Sequence, residues 1–105
     1  MNYQVFLTAH AENDLNAIYS YISDTLFSPE AAAHTCTAIE EAVLSLGQYP
    51  ERYGCLPFEP ERSAEIRTLP VRNYVVFYQI RDKAVFILRI LYSRSDLISR
   101  FRKGI

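Results

Sequence analysis

The sequence predicts an α+β fold with the element order β-α-α-β-β-β. Three observations support it: a short alternating run near the start, two segments with apolar residues every three or four positions, and three β-rich runs separated by short turns. We expect an N-terminal strand and an antiparallel helical hairpin packed on one face of a twisted, mostly antiparallel four-stranded sheet. With 105 residues, half of them apolar, the chain is predicted to form a single domain, 1–105.

The first strand is predicted over residues 3–8, "YQVFLT", where β-forming residues alternate. From Ala9 onward the spacing changes to that of a helix, and Thr8 is placed to cap its start. The apolar stripe of this first helix is predicted to comprise Ala11, Leu15, Ile18, Ile22 and Leu26.

A second helix is predicted to begin at "SPE", residues 28–30. Ser28 can cap the helix, Pro29 suits its first position, and Glu30 suits the positive end of the helix dipole. Gly47 stands where the helix should end, shortly before Pro50. The stripe of this helix is predicted to comprise Ala32, Cys36, Ile39, Val43 and Leu46.

Residues 48–64 contain three prolines and no sustained period, which indicates a loop. Strands are then predicted over about 65–71, 73–80 and 84–92, close enough together to form an antiparallel meander. Pro70 cannot donate a ladder hydrogen bond, so its strand should end there or lie at the edge of the sheet.

The last strand allows a prediction about the two faces of the sheet. Phe86, Leu88 and Ile90 share one face and are expected to contact the helices, while Arg89 points to the other face. That other face is expected to be uncovered. The tail after Leu97 is either a short helix packed on the sheet or a segment that orders only on a partner.

The net charge of −1 conceals a strong asymmetry between the two parts of the chain. Residues 1–66 carry two arginines against ten acidic residues, a formal charge of −8, whereas residues 67–105 carry nine basic residues against two acidic ones, a formal charge of +7. The basic part suggests an anionic partner, either nucleic acid or an acidic protein surface. The alternative is that opposite charges meet across the fold.

The composition indicates neither a membrane segment nor a metal site. No apolar run approaches the ~20 residues of a membrane span, and the start lacks the pattern of a signal peptide, so we expect a cytoplasmic protein without a membrane partner. Cys36 and Cys55 have neither disulfide-framework nor metal-ligand spacing. No cofactor and no metal are expected.

Five segments in this order resemble the RelE/ParE superfamily of toxins from bacterial type II toxin–antitoxin modules. They are "YQVFLTAHAENDLNAIYSYI", "SPEAA", "LGQYPERYG", "IRTLPVRNYVVFYQI" and "VFILRILYSRSDL", and they cover roughly residues 3–97. The resemblance implies the compact α+β toxin fold and a growth-inhibiting protein, as in ParE-like plasmid stabilisation. It also implies a cognate antitoxin that masks the working surface in a toxin–antitoxin hetero-oligomer.

The resemblance leaves two targets open. Members similar to RelE cleave mRNA on the ribosome, while members similar to ParE poison DNA gyrase without cutting nucleic acid themselves. Cleavage needs a base, an acid and cations around the phosphate. The candidate catalytic residues of a nuclease are Arg67, Arg89, Tyr92 and Arg94, with Glu65 or Asp96 as possible bases, whereas His10 and His34 lie in the helical half.

Departures from the nuclease pattern favour the hypothesis of a ParE-like toxin. Val75 follows Tyr74 where RelE-like nucleases commonly have an arginine, and the chain as a whole is not basic. ParE-like toxins depend on their C-terminal region, so the resemblance makes Arg94, Arg100, Arg102 and Lys103 candidates for contact with the target. A structural alternative is that Arg67 and Arg89 form surface salt bridges with Glu65 or Asp96.

Overall fold

A computed structural model describes residues 2–104 of the chain and has the predicted α+β architecture. A π-helical turn, Tyr21–Thr25, follows the first helix directly, and a single 3₁₀ turn, Pro50–Arg52, interrupts the long loop. The strands and α-helices are β1 (Gln4–Leu7), α1 (Ala9–Ser20), α2 (Pro29–Ser45), β2 (Arg67–Val71), β3 (Tyr74–Arg81), β4 (Ala84–Tyr92) and α3 (Leu97–Gly104).

The four strands form one sheet in the order β1-β4-β3-β2. β2, β3 and β4 form the predicted antiparallel meander, and β1 pairs in parallel with β4. β2 is an edge strand and contains Pro70, which confirms the prediction made from its missing N–H.

Thr8 caps α1, as predicted, and also ties it to the sheet. Its hydroxyl oxygen accepts a hydrogen bond from the backbone N–H of Ala11 (3.3 Å), and the hydroxyl group donates to the carbonyl of Ile87 in β4 (2.7 Å). Pro29 occupies the first turn of α2, but the Ser28 side chain makes no capping hydrogen bond. All five residues predicted for the α2 stripe are buried in the core.

The prediction that Leu26 continues the α1 stripe is wrong, because the helix widens before that residue. The N–H of Leu26 donates to the carbonyl of Tyr21 (3.1 Å), five residues back, and the side chain of Leu26 is 54% exposed. A π turn contains more residues than an α turn and therefore rotates all later side chains around the helix. Ile22, inside the turn, is still buried.

Gly47 ends α2 where predicted, and the reason is a close backbone approach rather than a left-handed cap. Its φ is not positive, and its carbonyl accepts a hydrogen bond from the N–H of Tyr3 (2.7 Å). A Cβ atom at this position would lie 3.2 Å from the carbonyl oxygen of Tyr3. The glycine thus lets the start of the chain pack on the end of α2.

The expected faces of β4 are partly wrong because the strand contains a bulge. Phe77 pairs with Arg89 and Tyr78 with Ile87, which leaves Leu88 as an extra residue. Such a residue reverses the alternation beyond it. Phe86 and Leu88 therefore lie on the face away from the helical hairpin, while Val85, Ile87 and Ile90 belong to the core beneath it.

The second face of the sheet is not open, which corrects another expectation. Helix α3 packs on it, and the ring of Phe101 stacks on that of Phe77 with centroids 4.2 Å apart. The tail is therefore a short helix packed on the sheet. This second core consists of Ile66, Val75, Phe77, Leu91 and Phe101.

Candidate functional site

A cleft lies between α1 with its π turn, the start of β3 and the end of β4. Its volume is about 690 Å³, within the range of ligand pockets. Three tyrosines contribute to its wall, so we call it the tyrosine cleft. It is lined by Asp14, Ala17, Ile18, Tyr21, Ile22, Leu26, Thr35, Asn73, Tyr74, Ile90, Leu91, Tyr92 and Arg94.

The strand side of the tyrosine cleft is held by contacts between neighbouring backbones. Tyr74 and Tyr92 are paired across β3 and β4, and their rings meet edge to face with centroids 5.4 Å apart. The N–H of Ser93 donates to the carbonyl of Asn73 (2.8 Å), and the guanidinium of Arg100 donates to the carbonyl of Tyr92. These contacts hold the end of β4 in position, and with it the ring of Tyr92, which is 46% exposed.

The helical side of the tyrosine cleft contains the π turn. Tyr21 and Leu26 are both more than half exposed, although they line the same depression as the buried Ile22. The next residue, Phe27, has a φ of 54°, and its side chain is 87% exposed. π turns and left-handed non-glycine residues are both common at functional sites, and no local sequence pattern indicates either feature here.

Arg94 lies at the rim of the tyrosine cleft and pairs with Asp96. Its guanidinium is 3.1 Å from a carboxylate oxygen of Asp96, and Arg100 contacts the other oxygen at 3.0 Å. The hydrogen bond from Arg94, together with the charges of both arginines, lowers the pKa of the Asp96 carboxyl group. Asp96 is therefore a poor proton acceptor, which weakens its candidacy as a base.

Arg89 forms an internal ion pair with Asp14. It binds the Asp14 carboxylate of α1 through two hydrogen bonds of 2.7 and 2.9 Å, and these raise the pKa of its guanidinium. The same carboxylate accepts the N–H of Ile90 (2.9 Å). β1 ends at Leu7, opposite Ile87, so the later residues of β4 have no neighbouring strand on that side. The Asp14 carboxylate accepts the hydrogen bond of the Ile90 N–H there in place of a strand carbonyl.

The same arginine also contacts the end of α3. A Cβ atom on Gly104 would overlap the guanidinium of Arg89, so the glycine leaves the space that this group occupies. Arg89 thus links α1, β4 and the last turn of α3.

Arg67 is bound to the long loop. Its guanidinium donates to the carbonyls of Tyr53 (2.6 Å) and Glu51 (3.2 Å). Arg67 pairs with Tyr78, whereas Tyr92 pairs with Tyr74, so the two positions are four residues apart along β3, roughly 13 Å at the usual strand rise. Neither Arg67 nor Arg89 pairs with Glu65 or Asp96 among the four ion pairs of residues 2–104.

The basic residues of α3 differ in their availability. Arg102 binds the carboxylate of Glu61 at 2.8 Å and the carbonyl of Glu59 at 3.0 Å, and Arg100 binds Asp96. The side chain of Glu61 is only 4% exposed, and its hydrogen bond from Arg102 lowers the pKa of the carboxyl group. Lys103 is exposed and takes part in none of the ion pairs found in the described part of the chain.

Of the four residues proposed for a nuclease, the structure places only Tyr92 and Arg94 in the same cleft. Arg67 and Arg89 have internal partners elsewhere. His10 and His34 are exposed on the helices, and Glu65 is exposed at the start of the meander. Sequence reasoning missed Asp14 and Tyr21, because nothing in their local pattern reports what they contact across the fold.

A second depression, the apolar groove, runs between the helical hairpin and the sheet. It measures about 170 Å³ and is lined by apolar side chains apart from Glu40. Leu44 is 70% exposed and Leu7 is partly exposed at this surface. The lining residues are Leu7, Leu15, Ile39, Glu40, Val43, Leu44 and Ile90.

No cluster of three or more potential metal ligands is found among residues 2–104. Cys36 is buried and Cys55 is partly buried, and both are free thiols. No helix within those residues has the length and apolar character needed to cross a membrane.

The family model and the structural matches found by comparison with known proteins all come from toxin–antitoxin systems. The family model described as the ParE toxin of type II toxin–antitoxin systems, parDE, matches residues 5–97. A chain in a structure of the chromosomal ParDE toxin–antitoxin system from P. aeruginosa is 28% identical to this chain and superposes with a TM-score of 0.74. That match covers 88% of this chain and 97% of the other.

A more distant match comes from the RelBE2 toxin–antitoxin complex of Mycobacterium tuberculosis. The identity is 24% and the TM-score 0.62, over 89% of this chain and 93% of the other, which shows a shared fold. No curated protein sequence matches the chain.

Proposed function

Because this chain belongs to the family of ParE toxins of type II toxin–antitoxin systems, we propose that it inhibits growth by poisoning DNA gyrase and that a cognate antitoxin neutralises it. The observation that carries the choice of target is the dispersal of the nuclease candidates. Arg67 is bound by loop carbonyls and Arg89 by Asp14, so neither is free to stabilise a phosphate. A protein that acts by binding requires no such constellation.

The apolar groove supports an antitoxin partner. Exposed Leu44 and Leu7 border a narrow apolar depression, which fits the apolar face of an amphipathic helix. Both structural matches come from toxin–antitoxin assemblies, one titled ParDE and one titled RelBE2. An antitoxin that lays a helix in this groove would form a hetero-oligomer with the toxin and keep it inactive in the cytoplasm.

The C-terminal helix and the strand ends supply the surface for the target. Lys103 and Arg94 are exposed there, while Arg100 and Arg102 fix the position of the strand end and of α3 through Asp96 and Glu61. We assign direct contact to Lys103 and Arg94, and support to Arg100 and Arg102.

The test is induced expression without antitoxin, with DNA and protein synthesis pulse-labelled separately within minutes. A first fall in DNA synthesis, followed by inhibition of purified gyrase in a supercoiling assay, is expected. If protein synthesis falls first while gyrase keeps its activity, the proposal is wrong. Co-expression of the antitoxin should restore growth in either case.

A RelE-like, ribosome-dependent endoribonuclease is the second candidate. One observation favours it, namely that Tyr92 and Arg94 line the same cleft beside Tyr74. It predicts cleavage of mRNA at defined codon positions, lost when Tyr92 and Arg94 are replaced. Intact mRNA during growth arrest would eliminate it.

A further inference from the structure

The tip of the helical hairpin exposes apolar side chains that do not pack in the core. Phe27 is 87% exposed and the preceding Leu26 is 54% exposed. Tyr21, in the π turn just before the tip, is 55% exposed. We call these three residues the tip patch. Single exposed apolar residues are common on protein surfaces, whereas a group of them indicates a place where another molecule binds.

The backbone of Phe27 is an unfavourable place for a phenylalanine in the isolated chain. Its φ is 54°, in the left-handed region that glycine and asparagine tolerate and that strains a bulky residue. The ring gains no burial in exchange, because it is almost wholly exposed. Asparagine or glycine would form this turn with less strain, which indicates that the ring serves a contact with another molecule.

The tyrosine cleft lies beside the tip patch and can accept such a ring. Tyr21 and Leu26 belong to both surfaces, and much of the remaining lining is apolar, including Ile22 and Ile90. The volume of about 690 Å³ is ample for one aromatic side chain. Phe27 does not fill the cleft of its own chain, since its side chain points into solvent. A protruding ring and a cleft that fits a ring therefore lie next to each other on one surface.

The helical side of this surface is acidic. Asp24 lies within the π turn and Glu30 in the first turn of α2. Both are exposed, and neither takes part in the ion pairs found among residues 2–104. Their carboxylates are therefore free to pair with cations of another molecule.

The strand side of the same surface is basic. Arg94 lines the cleft, and Arg72 is exposed in the turn between β2 and β3. Arg94 and Arg100 share the single carboxylate of Asp96, so a second carboxylate can pair with Arg94 while Asp96 keeps Arg100. The surface thus carries unmatched charges of both signs, on opposite sides of the cleft.

From these observations we propose that the tyrosine cleft is occupied by a second copy of this chain, in a dimer with twofold symmetry. Phe27 of each copy enters the cleft of the other, and Asp24 of each copy pairs with Arg94 of the other. A twofold interface requires a patch that is complementary to itself. This patch meets the requirement because it holds both the ring and the cleft, and both the acid and the base.

The dimer has a consequence for the activity of the toxin, and this consequence alone rests on the proposed function. Arg94, which we assign to direct contact with gyrase, is covered in the dimer. The dimer is then an inactive form that dilution converts into active monomers. Dimerisation itself concerns the toxin alone, so it is tested without gyrase or antitoxin.

The first experiment is sedimentation velocity of the purified toxin over roughly a hundredfold range of concentration, where mass action should convert monomers into dimers. Phe27→Asn should weaken the dimer tenfold or more, as for loss of an anchor residue. Its thermal midpoint should stay equal or rise, because asparagine tolerates the left-handed backbone.

Tyr49→Asn is the matched control for Phe27→Asn. Tyr49 is likewise aromatic, 68% exposed and left-handed, with a φ of 49°. It lies beyond the opposite end of α2, and the 17 residues of that helix span roughly 25 Å. This variant should leave the dissociation constant of the dimer unchanged.

The second experiment exchanges the charges that face each other in the dimer. Asp24→Arg and Arg94→Glu should each be monomeric, because each places like charges opposite one another twice in its own dimer. An equal mixture of the two variants should dimerise, because both facing pairs then have opposite charges. Sedimentation of one variant carrying a fluorescent label, with and without the other, measures this association, and circular dichroism confirms that both are folded.

A toxin that stays monomeric at the highest concentration would overturn the proposal, as would charge variants that do not associate when mixed. Equal weakening by Phe27→Asn and Tyr49→Asn would do the same, and so would a lower thermal midpoint of Phe27→Asn. If the parent chain is monomeric and Phe27→Asn loses affinity for the antitoxin or gyrase, the tip patch docks that protein instead. Failure of the dimer leaves gyrase inhibition standing, and failure of the supercoiling assay leaves the dimer standing.

Discussion

At the scale of single residues, Arg89 shows how one side chain can join three elements. It lies in the middle of β4, binds Asp14 of α1 and occupies the space that Gly104 leaves at the end of α3. Both charged groups are mostly buried and have lost most of their hydration. Each therefore needs the opposite charge beside it to offset that loss. This arginine in a buried strand, a candidate catalytic residue from the sequence, contacts two other elements of the fold.

We predict that Asp14→Asn lowers the free energy of unfolding by about 3 kcal/mol, because it breaks a mostly buried ion pair and weakens the bond to the Ile90 N–H. Urea unfolding followed by circular dichroism measures the change. Asp96→Asn is the control, since Asp96 and its partners Arg94 and Arg100 are all more exposed than Asp14 and Arg89, and its effect should be smaller. Similar losses for the two variants would contradict this account of Arg89.

At the scale of elements, α3 determines which face of the sheet is available to partners. It contributes Phe101 to the second core and is attached to the long loop by the ion pair between Arg102 and Glu61. These two contacts cover the face that the strand pattern leaves apolar. The basic tail is therefore part of the folded domain, and its cations are presented on a helix of fixed position.

Phe101→Ala should lower the free energy of unfolding by about 3–4 kcal/mol, the range for removal of a buried aromatic ring. The ring is stacked on Phe77, and its loss leaves a cavity under α3. Thermal and urea unfolding measure the effect. Phe58→Ala is the matched control, because that ring is half exposed and its removal should cost under about 1 kcal/mol. An equal loss for both variants would refute the docking of α3.

The ion pair of Glu61 gives α3 a dependence on pH. Its pKa is lowered in the folded protein, so the stabilisation is complete above the unfolded value of about 4.3 and is lost as the pH falls through the folded value. We predict that Glu61→Gln lowers the free energy of unfolding by about 1–2 kcal/mol at pH 7. The loss is modest because the side chain of Arg102 is about half exposed. The difference in stability from the parent protein should disappear near pH 3.

Unfolding by urea between pH 3 and pH 7 tests this prediction. Glu65→Gln is the control, since the Glu65 side chain is exposed and takes part in none of the ion pairs among residues 2–104. A Glu61→Gln deficit that stays constant with pH would show that the effect comes from packing rather than from charge.

At the scale of the whole molecule, the apolar groove and the tyrosine cleft are surfaces of different chemistry that share little lining.

Leu44→Lys changes a leucine that is 70% exposed in the groove, so the fold should keep its stability within about 0.5 kcal/mol. Affinity for the antitoxin should fall tenfold or more, as for loss of an anchor residue, while toxicity in the absence of antitoxin persists. Titration calorimetry and a growth assay measure the two effects. Unchanged antitoxin affinity would place the antitoxin elsewhere.

The division of charge along the chain also acquires a meaning only in the whole molecule. Two of the four ion pairs found among residues 2–104 join the basic part to the acidic part, namely Arg89 with Asp14 and Arg102 with Glu61. Opposite charges therefore do meet across the fold. Arg72 and Lys103 are exposed and take part in none of the ion pairs found among residues 2–104, so they are available for an anionic partner.

The sequence by itself determined the element order through β4, the cap at Thr8, the place of Pro29 in the first turn of α2, the α2 stripe, the edge position of Pro70 and the toxin family. These depend on short-range spacing and turn chemistry, which neighbouring residues specify. Only the tertiary structure decided the π turn before Leu26, the bulge at Leu88, the cover of α3 over the second face, and the partners of Arg67 and Arg89. Each of these arises from contacts between residues far apart in the chain, such as Asp14 and Arg89, 75 positions apart, and no local pattern records such contacts.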